Sequence, residues 1–195
     1  MDWTWLLSLG TNIYFLLLIY PVLGAGIKYI DAAFDNDAFN KNLAFTIALF
    51  LGLLWSFVMC TNAVSATILF AVVLSVFLKG KIDNRAFLLG FGVIVFLILV
   101  CGIQIALLPL VLLTVAGVLD EVGNDIIDYN RNDLQESRFR HQFLKYFLGR
   151  RYVMKATLFL LVIMNIVPMM YLIAFILFDE AYILVEMYGK TRMNI

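Results

Sequence analysis

Charged residues are scarce in this chain. They make up 14% of its 195 residues, against about 25% in typical soluble domains, and 64% of the residues are hydrophobic. Such a composition cannot cover a surface that faces water, which excludes a soluble enzyme, a nucleic-acid-binding protein and a disordered chain. Cysteine and histidine are also rare, at two residues and one residue, so no His/Cys zinc site is indicated. The remaining class is an all-α, polytopic membrane protein.

Long charge-free stretches define the predicted membrane spans. Residues 3–27 and 156–178 each suit one crossing of about 20 residues, whereas 42–78 and 86–119 are too long for one crossing and indicate helical hairpins. Polar segments at 59–62 and 101–104 are the predicted hairpin breaks. The single predicted domain, 1–195, is a bundle of about six spans with a cytoplasmic loop at 120–153. The spans lie near 4–25, 43–59, 63–79, 86–101, 103–119 and 154–178.

The basic residues predict an orientation for this bundle. Twelve of the fourteen Lys and Arg residues fall in the first, third and fifth loops, which lie on one side of the predicted map. Because Lys and Arg are enriched in cytoplasmic loops, these loops are predicted to be cytoplasmic. Both termini are predicted to lie on the outer side of the cell membrane. Only Lys190 and Arg192, in the C-terminal tail, depart from the rule.

The acidic residues form two clusters, and each cluster closely follows a predicted span. Like charges three or four residues apart share a helix face and repel each other. A hard divalent cation such as Mg²⁺, which takes carboxylate oxygens, would offset that repulsion. The candidate metal ligands are Asp31, Asp35, Asp120, Glu121, Asp125 and Asp128. The candidate catalytic residues among them are Asp31, Asp35, Asp125 and Asp128. The alternative is that these acids are simply solvated at helix ends.

Basic side chains accompany the acids on the same predicted side. Lys28 precedes Asp31 by three residues, and Lys81 and Arg85 lie in the third loop. They are either charges that set the topology or a clamp for anionic phosphate oxygens. Carboxylates, a divalent ion and bases together suit a lipid diphosphate whose tail lies among the helices. The expected partners are therefore membrane lipids and an isoprenoid or other lipid diphosphate, with no nucleic acid.

The acidic motifs resemble those of the UbiA superfamily of intramembrane prenyltransferases. That family carries an N-D-x-x-D-x-x-x-D motif and a D-x-x-x-D motif at the cytoplasmic ends of different helices, in the opposite order to this chain. Asn124, Asp125 and Asp128 match the first three positions of the longer motif, and the fourth position is Asn132. Asp31 and Asp35 match the shorter motif. The resemblance implies that Asn124 and the four aspartates hold Mg²⁺ and an isoprenyl diphosphate.

Three functions are weighed on these observations. The leading hypothesis is a Mg²⁺-dependent membrane transferase that acts on a prenyl or other lipid diphosphate. A cation transporter or channel ranks second, because ion paths carry charged side chains within the membrane. The main polar side chains within or beside these spans are instead Asn12, Asn62, Gln104 and Asn165. A non-catalytic membrane scaffold is the third hypothesis, and it predicts that both acidic clusters tolerate substitution.

Overall fold

A computed structural model describes residues 10–35, 37–80, 84–129 and 152–192, and residues 124–129 enter it only as part of their helix. Within these ranges the chain forms seven α-helices and no strand, so the all-α prediction is confirmed. The helices are α1 (Ile13–Asp35), α2 (Lys41–Thr61), α3 (Ala63–Leu78), α4 (Arg85–Cys101), α5 (Leu107–Tyr129), α6 (Tyr152–Ile163) and α7 (Met169–Arg192).

Asparagine begins each of the first four helices. The side-chain oxygens of Asn12, Asn40, Asn62 and Asn84 accept hydrogen bonds from backbone N–H groups in the first turns of α1, α2, α3 and α4, at 2.8–2.9 Å. A cap of this kind satisfies a backbone donor that the helix itself leaves without a partner. Neutral caps suit helices in an apolar setting, because an amide is less costly to bury than a carboxylate.

The two long apolar stretches are divided where their polar residues lie. Asn62 is the single residue between α2 and α3. After α4, Gly102 adopts a φ of +70°, and its N–H donates to the carbonyl of Ile98 at 2.9 Å. Only glycine adopts this left-handed backbone without strain from a Cβ atom. Both divisions fall within the segments 59–62 and 101–104 that the sequence indicates.

The last apolar stretch differs from its prediction. The expectation of one helix over 154–178 is wrong, because α6 ends at Ile163 and α7 begins at Met169. Between them Asn165 adopts a left-handed φ of +56°, and Pro168, which has no N–H to continue a helix, immediately precedes α7. The chain therefore reverses direction once more than the six-span arrangement requires.

The structure also differs from the loop predicted at 120–153. Its first ten residues are helical, because α5 continues to Tyr129 instead of ending at residue 119. Residues 130–151 lie outside the described residues. Asp120 and Glu121 consequently project from a helix that is packed against its neighbours.

Helices α1 and α7 make the most extensive contact in the described chain, and contacts at both of their ends show that they run in the same direction. At one end, the Asn62 side-chain NH₂ donates to the carbonyl of Gly10, just before α1, and to the hydroxyl of Tyr171, in the first turn of α7. At the other end, the ring of Phe39, which follows α1, stacks on Tyr188 with centroids 6.2 Å apart. The C-terminal ends of α1 and α7 therefore lie side by side.

These directions define two ends of the bundle. The amide end holds Asn12, Asn62 and Asn165, and the charged end holds the C-terminal ends of α1 and α7 and the start of α2. The extra reversal before α7 places Lys190 and Arg192 at the charged end, with Lys28 and Lys41. The prediction that both termini share a side is therefore wrong for the described chain, which begins at the amide end and finishes at the charged end.

The helices carry extensive apolar surface. Large apolar side chains are exposed along most of them, and Tyr14 and Leu99 are each 80% exposed. Among the described residues, α1 and α2 are long and apolar enough to cross a membrane, and α3, α4 and α6 are shorter apolar helices. Apolar surface on this scale marks contact with a membrane or a partner, and together with the two long helices it favours membrane association.

Candidate functional site

The first predicted acidic cluster lies on the last turns of α1. The Lys28 Nζ atom donates to Asp31 Oδ2 at 2.6 Å, and it also lies 5.0 Å from the centroid of the Tyr182 ring of α7. Lys28 is thus held between its own helix and α7 by an ion pair and a cation–π contact. Asp35, the last residue of α1, is exposed at the charged end.

The second predicted cluster begins with Asp120, whose carboxylate has a structural role. Its two oxygens accept the backbone N–H groups of Val153 and Met154, at 3.0 and 2.8 Å. These groups belong to the first turn of α6, where helices favour negative charge because their N–H groups lack internal partners. Asp120 is 1% exposed. It therefore fastens α6 to α5, a role that sequence spacing along α5 alone does not reveal.

A buried ion pair joins α6 to α7. Lys155 Nζ pairs with Asp179 Oδ2, and the two residues are 9% and 2% exposed. Lys155 Nζ also lies 4.9 Å from the centroid of the Tyr152 ring. Neither residue is among the predicted site residues. A signal did exist, because these two opposite charges flank the apolar stretch 156–178, and a hairpin in that stretch brings its ends together.

Asp120, Glu121, Lys155 and Asp179 form what we call the buried ionic cluster. Glu121 is 3% exposed, so all four charged residues are buried. Three of them, Asp120, Glu121 and Asp179, line a cavity of about 20 Å³. A cavity of this size accommodates about one water molecule. Burying a charged group is costly unless the group is paired. Charged residues buried within a membrane bundle mark functional sites, so the buried ionic cluster is a candidate functional site.

A second cavity, of about 80 Å³, lies between α1, α2, α3 and α4. We call it the apolar cavity, because the residues that line it are hydrophobic side chains and glycines. Val72 and Val76 of α3 line both this cavity and the cavity of the buried ionic cluster. Because these two residues are four positions apart, they lie on one face of α3, and the two cavities are neighbours along that face.

Helix α7 connects the two predicted clusters. Tyr182 faces Lys28 of α1, and Asp179, one helical turn earlier, pairs with Lys155 of α6. The helix pairs with extensive contacts include α1 with α7 and α5 with α6. The charged groups of α1 and of α5–α6 thus border the same helix.

The other predicted residues are placed as follows. Arg85 is exposed at the first residue of α4. Lys81 and the side chains of Asn124, Asp125 and Asp128 lie outside the described residues. Within the described part of the chain, no three His, Cys, Asp or Glu side chains are grouped so as to hold a metal ion. The metal assignment for Asp31, Asp35, Asp120, Glu121, Asp125 and Asp128 therefore stays a prediction.

Comparison with protein family models, with curated proteins and with solved structures finds no match to this chain.

Proposed function

We propose that the chain is a polytopic membrane enzyme, a Mg²⁺-dependent transferase that acts on a prenyl or other lipid diphosphate in the manner of the UbiA superfamily. One observation carries the proposal, namely that Val72 and Val76 line both the apolar cavity and the cavity of the buried ionic cluster. A lipid diphosphate needs an apolar space for its tail beside a polar, charged space for its head. The bundle offers the apolar cavity next to buried charges, and the head group itself would bind at the charged end, because the cavity of the buried ionic cluster accommodates only about one water molecule.

The membrane arrangement follows from helix direction and charge. Successive helices run alternately between the amide end and the charged end, so every described helix contributes to a multi-pass bundle. This adds one reversal to the predicted six spans. The Lys and Arg residues of the described helices lie toward the charged end, and cytoplasmic segments are those enriched in Lys and Arg. The charged end therefore faces the cytoplasm, and the amide end faces the opposite compartment.

Several of the predicted site residues have a proposed role in binding the head group. Arg85 and Lys81 bind the phosphate oxygens, since Arg and Lys are the usual phosphate-binding side chains. Lys28, already paired with Asp31, positions that carboxylate beside α7. Asn124 donates to the substrate through its amide.

The carboxylates of Asp125 and Asp128, on the last turns of α5, are hard oxygen donors of the kind that Mg²⁺ takes, together with Asp31 and Asp35. Asp120 contributes less as a ligand, because its oxygens already accept two backbone N–H groups. When bound, the metal would neutralise charge on the departing diphosphate.

The test is a transferase assay on the purified full chain in lipid vesicles, with a panel of prenyl diphosphates and with Mg²⁺ or a chelator. We expect turnover that requires Mg²⁺ and falls at least 100-fold in Asp31→Asn and in Asp125→Asn. Asp37→Asn is the matched control, because Asp37 is exposed and pairs with Lys41 outside the proposed site. Full activity in either site variant, or no turnover with any lipid diphosphate, would overturn the proposal.

One observation favours a second candidate, a cation or proton transporter. The apolar part of α5, residues 107–119, is about 20 Å long, which is shorter than the hydrocarbon core of about 30 Å. The buried ionic cluster would then lie within the membrane, where charged side chains mark ion paths. Proton or cation flux into vesicles that disappears in Asp179→Asn and Asp125→Asn, without transferase turnover, would establish this function instead.

A further inference from the structure

The only two cysteines of the chain meet at the amide end. Cys101 is the last residue of α4, and Cys60 is the penultimate residue of α2. The two thiols lie close enough to interact with each other. Cys101 is exposed and Cys60 is partly buried, and neither is bonded to another sulfur.

The packing of α2 against α4 explains why these thiols meet. Both helices run from the charged end to the amide end, and a Cβ on Gly52 would lie 3.1 Å from the side chain of Val93. Cys60 follows Gly52 by eight residues, and Cys101 follows Val93 by eight residues. Equal steps along two parallel helices advance by the same distance. The cysteines are therefore level with each other, although they are far apart in sequence.

We infer that Cys60 and Cys101 form a disulfide that links α2 to α4 on the side of the membrane opposite the cytoplasm. The inference rests on the proposed orientation of the bundle and not on the proposed transferase activity. Disulfides persist in compartments outside the cytoplasm, where thiols are not kept reduced. The amide end faces such a compartment in that orientation.

The oxidant is a protein disulfide of the thiol-oxidase class. The exposed Cys101 thiolate attacks one sulfur of that disulfide and forms a mixed disulfide. The Cys60 thiolate then attacks the Cys101 sulfur, so that the Cys60–Cys101 bond forms and the mixed disulfide breaks. The two thiol protons and two electrons pass to the oxidant, which leaves as a dithiol.

The bond would close the amide end of the apolar cavity. Gly52 and Trp55 of α2 and Gly90 and Ile94 of α4 line that cavity. A covalent link beyond these residues limits how far α2 and α4 separate. Reduction of the bond would therefore allow the cavity to widen at the amide end.

The test counts oxidised thiols in the full chain within living cells. Free thiols are blocked with N-ethylmaleimide, the protein is denatured and reduced, and newly released thiols are tagged with a polyethylene glycol maleimide. We expect two tags on the wild-type chain after reduction and none without it. Cys60→Ser and Cys101→Ser serve as controls for each other, and each should acquire no tag. A wild-type chain without tags after reduction would overturn the inference.

A second measurement separates this inference from the proposed orientation. In intact cells of the Cys60→Ser variant, a membrane-impermeant maleimide should label Cys101 from outside. Labelling of Cys101 without a wild-type disulfide overturns the disulfide alone. An absence of both the labelling and the wild-type disulfide overturns the disulfide together with the orientation. The transferase assay on the Cys60→Ser/Cys101→Ser double variant tests the enzymatic proposal independently, because neither cysteine belongs to the charged end.

Discussion

The amide end and the charged end hold the bundle together by different chemistry. In the described segments at the amide end, residues 10–14, 58–66, 98–110 and 160–170, no residue is Asp, Glu, Lys, Arg or His. The side chain of Asn62 caps α3 there and bonds to Gly10 and Tyr171. At the charged end, α5, α6 and α7 are joined by the Asp120 carboxylate and by the Lys155–Asp179 pair.

This difference shows what each end is suited to do. Neutral amides satisfy backbone groups with a small cost of desolvation, whereas buried ions are costly and depend on their partners. The amide end is therefore suited to holding helices in place. The charged end also carries the predicted site residues of α1 and α5, which is why we place the proposed chemistry there.

Breaking the buried ion pair should have the largest effect on stability. Lys155→Met leaves the Asp179 carboxylate buried without this cation, which we expect to cost about 3–5 kcal/mol. Thermal unfolding of the purified protein in detergent measures the loss. The double variant Lys155→Met/Asp179→Leu should recover much of it, because it removes both charges. A double variant as unstable as the single variant would contradict the role of the pair.

Removing the side-chain amide of Asn62 should have the next largest effect on stability. This change tests whether Asn62 holds helices together at the amide end as the buried ion pair does at the charged end. Asn62→Ala removes a helix cap, worth about 1 kcal/mol. It also deprives the Tyr171 hydroxyl and the Gly10 carbonyl of a donor, so we expect a total loss of about 2–3 kcal/mol. The matched control is Asn12→Ala, which removes an exposed cap from α1. Equal losses in both variants would mean that the interhelical bonds of Asn62 contribute little.

A substitution between the two ends tests whether α1 and α7 must approach closely. A Cβ on Gly24 would lie 2.0 Å from the carbonyl oxygen of Phe178. Gly24→Ala should therefore push the helices apart and destabilise the protein by about 2 kcal/mol. A Cβ on Gly92 of α4 has no neighbour within 4 Å, so Gly92→Ala should leave the unfolding temperature unchanged or raise it slightly. Similar behaviour of the two variants would disprove the close approach.

The smallest effect on stability is expected from breaking an exposed ion pair. Lys190 pairs with Glu186 at 2.5 Å, and its side chain is 57% exposed. Because solvent screens such pairs, Lys190→Met should cost no more than about 0.5 kcal/mol, measured by the same unfolding experiment. A loss as large as that of Lys155→Met would show that burial does not distinguish the charges at this end.

Some of these features can be predicted from the sequence, and others require tertiary structure. Asn62 and Gly102 interrupt long apolar stretches, and residues of these types mark helix boundaries wherever they occur. The reversal at Asn165 and Pro168 is less visible, because the stretch 156–178 has the length of one span and therefore reads as a single helix. Length alone cannot distinguish one spanning helix from a hairpin of shorter ones.

The candidate functional site is also only partly predictable from the sequence. Spacing along one helix identified Asp120 as part of an acidic cluster, but its partners are backbone N–H groups of α6, 33 and 34 residues further along the chain. In the sequence, Lys155 and Asp179 each look like an ordinary charge beside an apolar stretch, so the sequence alone does not single them out. Their pairing depends on the reversal between α6 and α7.

The parallel contact of α1 with α7 has a consequence for the order in which the protein is made. About 130 residues separate the end of α1 from the start of α7. At the usual speed of synthesis, this delay is on the order of ten seconds. Throughout that interval the face of α1 around Gly24 lacks its final neighbour. Among the described helices, α1 is thus the first to leave the ribosome and among the last to be fully packed, and a chain truncated before α7 would expose that face permanently.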